Sequence, residues 1–194
     1  MKKLLILSAA VILTATMYAQ NDETAGKNDI AALNDHNNNA TKTEKKEKRK
    51  KLKKLSGSEV SSLSKAEFYS DFRDLPVSKW ERNANFDVAT FTKDGQQMQA
   101  FYDDNSKLVG TVSNKTFADL PAKGQKIITE RYKDYKAGDV IFFDDNELNE
   151  TDMVLYDEQF DDADNYFVEL TKDDKKIIVE VTMGGDVGHF TRMK

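Results

Sequence analysis

The chain has no cysteine. That absence removes disulfides, thiolate metal sites, a cysteine nucleophile and a lipid-modified cysteine anchor together. Histidine is nearly as scarce, with only His36 and His189. His36 sits in the polar stretch "NDHNNNA", and the one remaining histidine cannot build a histidine metal cluster. Nothing in the spacing suggests a Ser/His/Asp arrangement, and HExxH, GxSxG and a phosphate-cradling glycine loop are all missing. "MGGDVG" is a lone glycine-rich turn, where glycine serves conformation. The sequence therefore reads as a non-enzyme with no cofactor.

Long apolar runs are also missing, with one short exception. "MKK" precedes "LLILSAAVIL" (Leu4–Leu13), and the small-residue stretch "TATMYAQ" comes next. This is the order of a secretory signal peptide, and the run falls short of the roughly 20 residues of a membrane span. Cleavage after Ala19 leaves Gln20 first, with Ala15 as the earlier alternative. The expected product is periplasmic or secreted.

Composition divides the rest of the chain. Residues 20–41 are rich in Asn, Asp, Thr and Ala and cannot repay the entropy of ordering, so 20–57 reads as a disordered polar and then Lys-rich linker. "KTEKKEKRKKLKK" (Lys42–Lys54) holds nine basic and two acidic residues. From Leu55 onward there are 28 acidic and 17 basic residues, a balance of −11. A basic tether thus precedes an acidic domain of ordinary single-core size, 58–194.

Within that domain one pattern occurs twice. "TKDGQQMQAFYDD" and "TKDDKKIIVEVTM" start 79 positions apart, and each runs from a charged hairpin turn into an alternating strand. An offset of 63 aligns the preceding segments, Tyr69 on Tyr132, Phe72 on Tyr135 and Trp80 on Phe143, which implies a sixteen-residue insertion. "MVLYDEQF" could belong to that insertion or could match "VSKWERN". The domain thereby divides into two units, 58–113 and 117–194. Each opens on a helix: a Ser64/Glu67 capping box in the first, Pro121 in the first turn and Gly138 as the stop in the second. The register turns Ala89, Phe91, Met98, Ala100, Tyr102, Val168, Leu170, Ile177, Val179 and Val181 toward the helices. Trp80 should pack under the first helix.

These segments, with "LPVSKW" and "DLPAKGQKIITERYKDY", resemble the periplasmic PepSY-like family, whose members are similar to β-lactamase inhibitory protein and common among exported proteins of Bacteroidetes-type bacteria. The resemblance spans about residues 58–194. It implies an α+β fold in which two tandem helix-plus-antiparallel-sheet units form one curved sheet with helices on one face. It also implies a concave face for binding. No inhibitory residue matches position by position, so β-lactamase inhibition is not carried over.

The expected function is an exported binding module, inhibitory or not, that recognises an envelope or secreted protein or peptide. The expected site is the helix-free face, through Phe86, Phe101, Phe167 and Ile178, the bulky apolar residues that the register turns outward. The alternative is a calcium or small-ligand protein using "DDNELNETDMVLYDEQFDDADN" (Asp144–Asn165), which has ten carboxylates and no base. Asp144, Asp145, Asp161, Asp162 and Asp164 are the ligand candidates, though the loop lacks the glycine and terminal glutamate of a calcium motif. The stretch reads more readily as a solvated acidic loop. Lys42–Lys54 suits weak contact with anionic envelope surfaces, service as a spacer, or folding back onto that insertion. An exported protein with an acidic domain has no evident nucleic-acid partner.

Overall fold

The computed structural model describes residues 52–193. The expected leader, the Asn-rich tract and the basic run as far as Lys51 lie outside the described residues.

Helix α1 (Ser62–Phe72) is capped by Ser61, whose Oγ accepts the Leu63 amide at 3.1 Å. The expected capping box is therefore misplaced. Ser64 lies inside the helix and donates to Asp87 Oδ2 at 2.8 Å, while Glu67 pairs with Lys107 at 3.1 Å. A buried carboxylate takes Ser64 out of competition for the cap. Helix α2 (Ala122–Arg131) begins just after Pro121 and ends at Tyr132, whose amide bonds the Ile128 carbonyl. Gly138 is thus not its stop, and lies within a strand.

Eight strands form one antiparallel sheet: β1 (Val77–Arg82), β2 (Asp87–Lys93), β3 (Gln96–Tyr102), β4 (Leu108–Lys115), β5 (Lys136–Asp145), β8 (Asn165–Lys172), β9 (Lys175–Thr182) and β10 (Val187–Met193). The strands stand in that spatial order. β6 (Met153–Leu155) and β7 (Glu158–Phe160) pair only with each other. Each half thus runs helix then four sheet strands, and the halves fuse where β4 pairs β5. That seam explains Gly110: a Cβ there would stand 2.6 Å from the Asp144 carbonyl oxygen and the Phe143 ring. In the first hairpin turn, Asp94 and Gly95 both take positive φ, as a tight primed turn requires.

The 79-residue offset holds, since Ala89↔Ala100 and Val168↔Val179 are equivalent pairs. The 63-residue offset does not. Trp80 faces Ala89 as Val140 faces Val168, which sets the offset at 60 and the insertion at nineteen residues, 146–164. Buried Phe68 and Ile128, and buried Ser64 and Gly124, obey the same spacing. Matching Trp80 to Phe143 followed ring size, and the irregularity between Ala137 and Val140 hid the true register.

Both expected helix-facing sets are found beneath the helices. Phe68 packs with Ala89, Phe91, Ala100 and Tyr102, and Ile128 packs with Val168, Leu170, Ile177, Val179 and Val181. Trp80 lies under α1, half-buried, with its ring 5.7 Å from Phe68.

The other face corrects the sequence reading. Phe86, Phe101, Phe167 and Ile178 do share it, but their exposures are 1%, 6%, 0% and 0%. The insertion folds back over them. Phe160 sets its ring 4.9 Å from Phe167 and 5.2 Å from Phe143, Met153 is buried beside it, and Phe190 closes on Phe167 at 4.8 Å. Withdrawing each large apolar side chain from water is worth roughly 1.5–3 kcal/mol. A hairpin carrying Met153, Val154, Leu155 and Phe160 has every reason to settle there. The four expected site residues are core, not an open patch.

Candidate functional site

Beside the β1–β2 connection (83–86), antiparallel order brings four more connections to one end of the sheet: the β3–β4 turn (103–107), the β5–β6 loop (146–152), the β7–β8 turn (161–164) and the β9–β10 turn (183–186). Asp103 organises the first two. Its Oδ1 accepts the Asn105 and Lys107 amides at 2.8 and 2.9 Å, and its Oδ2 accepts Asn149 Nδ2 at 3.1 Å. Asn146 continues the tie, its amide donating to Val109 O at 2.9 Å and its Nδ2 to Leu108 O at 2.7 Å. The Leu148 amide reaches Asn146 Oδ1 at 3.3 Å, and the Asn149 amide reaches Asn146 O at 2.7 Å. The polar residues of "DNELNET" thus bond the loop to the sheet and to itself. Its one apolar side chain, Leu148, is left 95% exposed.

Leu148 stands at the rim of a cleft of about 760 Å³ between α1 and this loop. Glu67, Asp71, Asp103, Glu147 and Glu150 give the cleft its charge, against Lys107 alone. Burial raises the Asp71 carboxyl; the hydrogen bond from the Tyr102 hydroxyl at 3.1 Å opposes this, and nearby Glu67 reinforces it. Burial and then the Asp71 charge push the Tyr102 hydroxyl upward, so it stays a donor.

A second hollow, about 490 Å³, adjoins through Glu147 and is lined also by Asp145, Asp162, Asp164 and half-exposed Met183. Here Asp145 is pushed up to about 6, first by burial and then by the charges of Asp162 and Asp164. Its amide donates to Asp164 Oδ1 at 2.9 Å, while its own Oδ1 is buried with no hydrogen-bond partner among the described residues. Asp144 is raised as well, by burial and then Asp164, with Lys115 and Lys93 opposing. The fold therefore gathers Asp145, Asp162 and Asp164, leaves Asp144 beside them, and keeps Asp161 off the lining. Among the described residues no three carboxylates or histidines are grouped so as to hold a metal.

Sequence reasoning missed one buried ion pair at the same end. Arg82 grips Asp87 through Nε at 2.6 Å and Nη2 at 2.7 Å, and Asp87 Oδ2 also accepts the Ser61 amide at 3.0 Å. Burial alone would raise Asp87, but the Arg82 guanidinium, the Ser61 amide and the Ser64 hydroxyl together hold it below its ordinary value. A carboxylate so saturated with donors is no catalytic base; it pins the start of α1 to the sheet. The two stand opposite each other across a tight β1–β2 connection, the one sequence signal that could have found them. Leu148 had a signal too, as a solitary leucine in a run of carboxylates and asparagines.

Solved structures from Bacteroides share this architecture. The chain is similar to a BLIP-like protein from Bacteroides fragilis, with a TM-score of 0.54 and 18% identity over 71% of this chain and 89% of that one. It is similar to a DUF2874 family protein from Bacteroides uniformis, with a TM-score of 0.57 and 12% identity over 69% and 90%. A candidate periplasmic protein from Bacteroides eggerthii gives 0.56 and 12% over 69% and 89%. At these identities the likeness establishes the fold: α+β, BLIP-like. No family model and no curated protein matches the sequence. No helix among the described residues is long and apolar enough to cross a membrane.

Proposed function

We propose that the protein is an exported, non-enzymatic module that captures a cationic protein or peptide at the acidic loop end of its sheet. One observation carries this reading: Leu148 is 95% exposed on a loop whose backbone is already bonded in place. An apolar side chain held out by a preorganised loop costs little further ordering on binding. Interfaces draw most of their energy from a few such anchors within a polar rim. Met183 offers a second apolar contact across Glu147. The carboxylates around both hollows add long-range attraction for a basic partner, which acts on association rate and selectivity.

The leader-like start supports export, as does the likeness to a candidate periplasmic protein. The likeness to a BLIP-like protein supports a protein partner over a small ligand. Cation carriage is less favoured, because the carboxylates near Asp145 are not grouped as ligands. Phe86, Phe101, Phe167 and Ile178 then serve as the floor that seats the insertion and so places Leu148.

The test is affinity capture from envelope extract with the mature chain as bait, beside Leu148→Asp. The expected result is a stoichiometric basic partner held by the wild type and lost by Leu148→Asp, with equal melting curves for the two baits. Undiminished capture by Leu148→Asp would overturn the site, and no capture by either would overturn the binding reading.

A further inference from the structure

The basic tether enters the domain at a defined place. Leu52 packs against the cluster on the helix-free face. The Lys53 carbonyl accepts Asn85 Nδ2 at 3.1 Å, and its Nζ lies 3.0 Å from Asp104. The Leu55 amide donates to Ala84 O at 2.9 Å, and Arg82 Nη1 donates to Ser56 O at 2.8 Å. These attachments fix residues 52–56 at the loop end of the sheet. Asp103 and Asp104 border the hollow that Lys54 and Arg82 line, and Asp103 also borders the Leu148 cleft. The tether therefore emerges beside the acidic end, not at the opposite end where Asp94, Asp173 and Asp174 form the hairpin turns.

Immediately upstream stands "KKEKRKK" (Lys45–Lys51), six basic residues and one acidic. Across from its exit, Asp144–Asn165 holds ten carboxylates and no base. Seven extended residues reach about 23 Å, ample for crossing loops that share one sheet end. One exposed ion pair is worth about 0–1 kcal/mol, but six cations tethered near Glu147, Asp162 and Asp164 act together. Exit position and charge agree on the same occupant.

We infer that Lys45–Lys51 docks on the acidic loop end of its own domain, against the 146–152 and 161–164 loops, as a salt-released intramolecular occupant. The docking stands on the anchored entry and the charge pattern alone. Its consequence, competition with a cationic partner, rests on the binding reading above. Tethering makes the segment's effective concentration about millimolar. If its intrinsic Kd lies about tenfold below that concentration, at ~0.1 mM, the apparent affinity of a competing basic probe falls about tenfold.

Zero-length carbodiimide coupling of the mature full chain, followed by peptide mass spectrometry, tests the docking. At low salt, Lys45–Lys51 should couple to Glu147, Asp162 and Asp164 within one molecule, and those products should be lost at about 0.5 M salt, where the Debye length shrinks to about 4 Å. Equal coupling to Asp94, Asp173 and Asp174 would overturn the proposal. So would products formed mainly between heavy- and light-isotope copies, or none at low salt. In parallel, a chain with all six basic residues of Lys45–Lys51 changed to Gln should bind an octalysine probe about tenfold more tightly than the wild type. Unchanged probe affinity, with low-salt coupling present in the wild type, would remove the competition and leave the docking. Failure of both baits in the Leu148 experiment to capture a partner would overturn the binding reading and leave the coupling result standing.

Discussion

Phe167→Ala tests whether the helix-free face is covered. The ring has 0% exposure and lies 4.9 Å from Phe160 and 4.8 Å from Phe190, with Tyr156 at 6.5 Å. All three neighbours arrive from elements that make no ladder with β8: Phe160 and Tyr156 belong to the insertion, while Phe190 comes from the edge strand. Removing a buried phenylalanine costs about 3–5 kcal/mol, because the cavity adds to the lost transfer energy. Total stability for such a domain is about 5–15 kcal/mol. At about 2–4 °C per kcal/mol the melting point should fall by roughly 10 °C. Phe160→Ala should cost a similar amount, and the double variant less than the sum, since the two rings share one contact. Urea unfolding with unchanged slope gives these numbers directly. A loss below about 1 kcal/mol at both positions would mean that the insertion does not sit on the sheet and that Phe167 faces water.

Three other substitutions probe the seam and the charges. Gly110→Ala forces a Cβ to within 2.6 Å of the Asp144 carbonyl and the Phe143 ring, so denaturant melts should show a loss of about 1–3 kcal/mol. Asp87→Ala strands the Arg82 guanidinium, whose side chain is 11% exposed, and should cost about 3–5 kcal/mol. Because Asp87 lies below its ordinary 3.8 in the fold, its contribution is present above that pH and is lost as pH falls through the lower folded value. Asp145 behaves oppositely. Its folded value of about 6 exceeds the ordinary 3.8, so its ionisation opposes folding at neutral pH and the penalty vanishes as pH falls through that window. Asp145→Asn should therefore stabilise at pH 8 by about 1 kcal/mol after solvent screening, with no gain below pH 4; thermal melts across that range check both limbs.

Much of the fold was legible because a strand has period two. Once "TKDGQ" and "TKDDK" were set as turns, alternation placed Ala100 with Val179 and Phe91 with Leu170 without further information. Local chemistry was less decisive where two residues could do one job. Ser61 and Ser64 both suit a cap, and only Asp87, far along the chain, separates them. Register gave the correct face for Phe101 and Phe167, but exposure depends on what else packs there. "MVLYDEQF" carries enough apolar side chains to cover a sheet, yet alternation cannot say whether it joins the sheet or lies across it. The candidate site was hidden for a related reason. Leu148 lies in a segment whose composition says only acidic loop, and its display depends on hydrogen bonds that tie Asn149 to Asp103 and Asn146 to backbone made elsewhere.

Under the proposed function the loop end binds while the insertion stays on the helix-free face. Hydrogen exchange of the mature chain, alone and with its captured partner, tests it most directly. Partner binding at the loop end should slow exchange at amides of residues 146–152 and 183–186, with β6 and β7 unchanged. Accelerated exchange in β6 and β7, with no slowing at 146–152, would contradict it, because the partner would then be displacing the insertion to reach Phe101, Phe167 and Ile178.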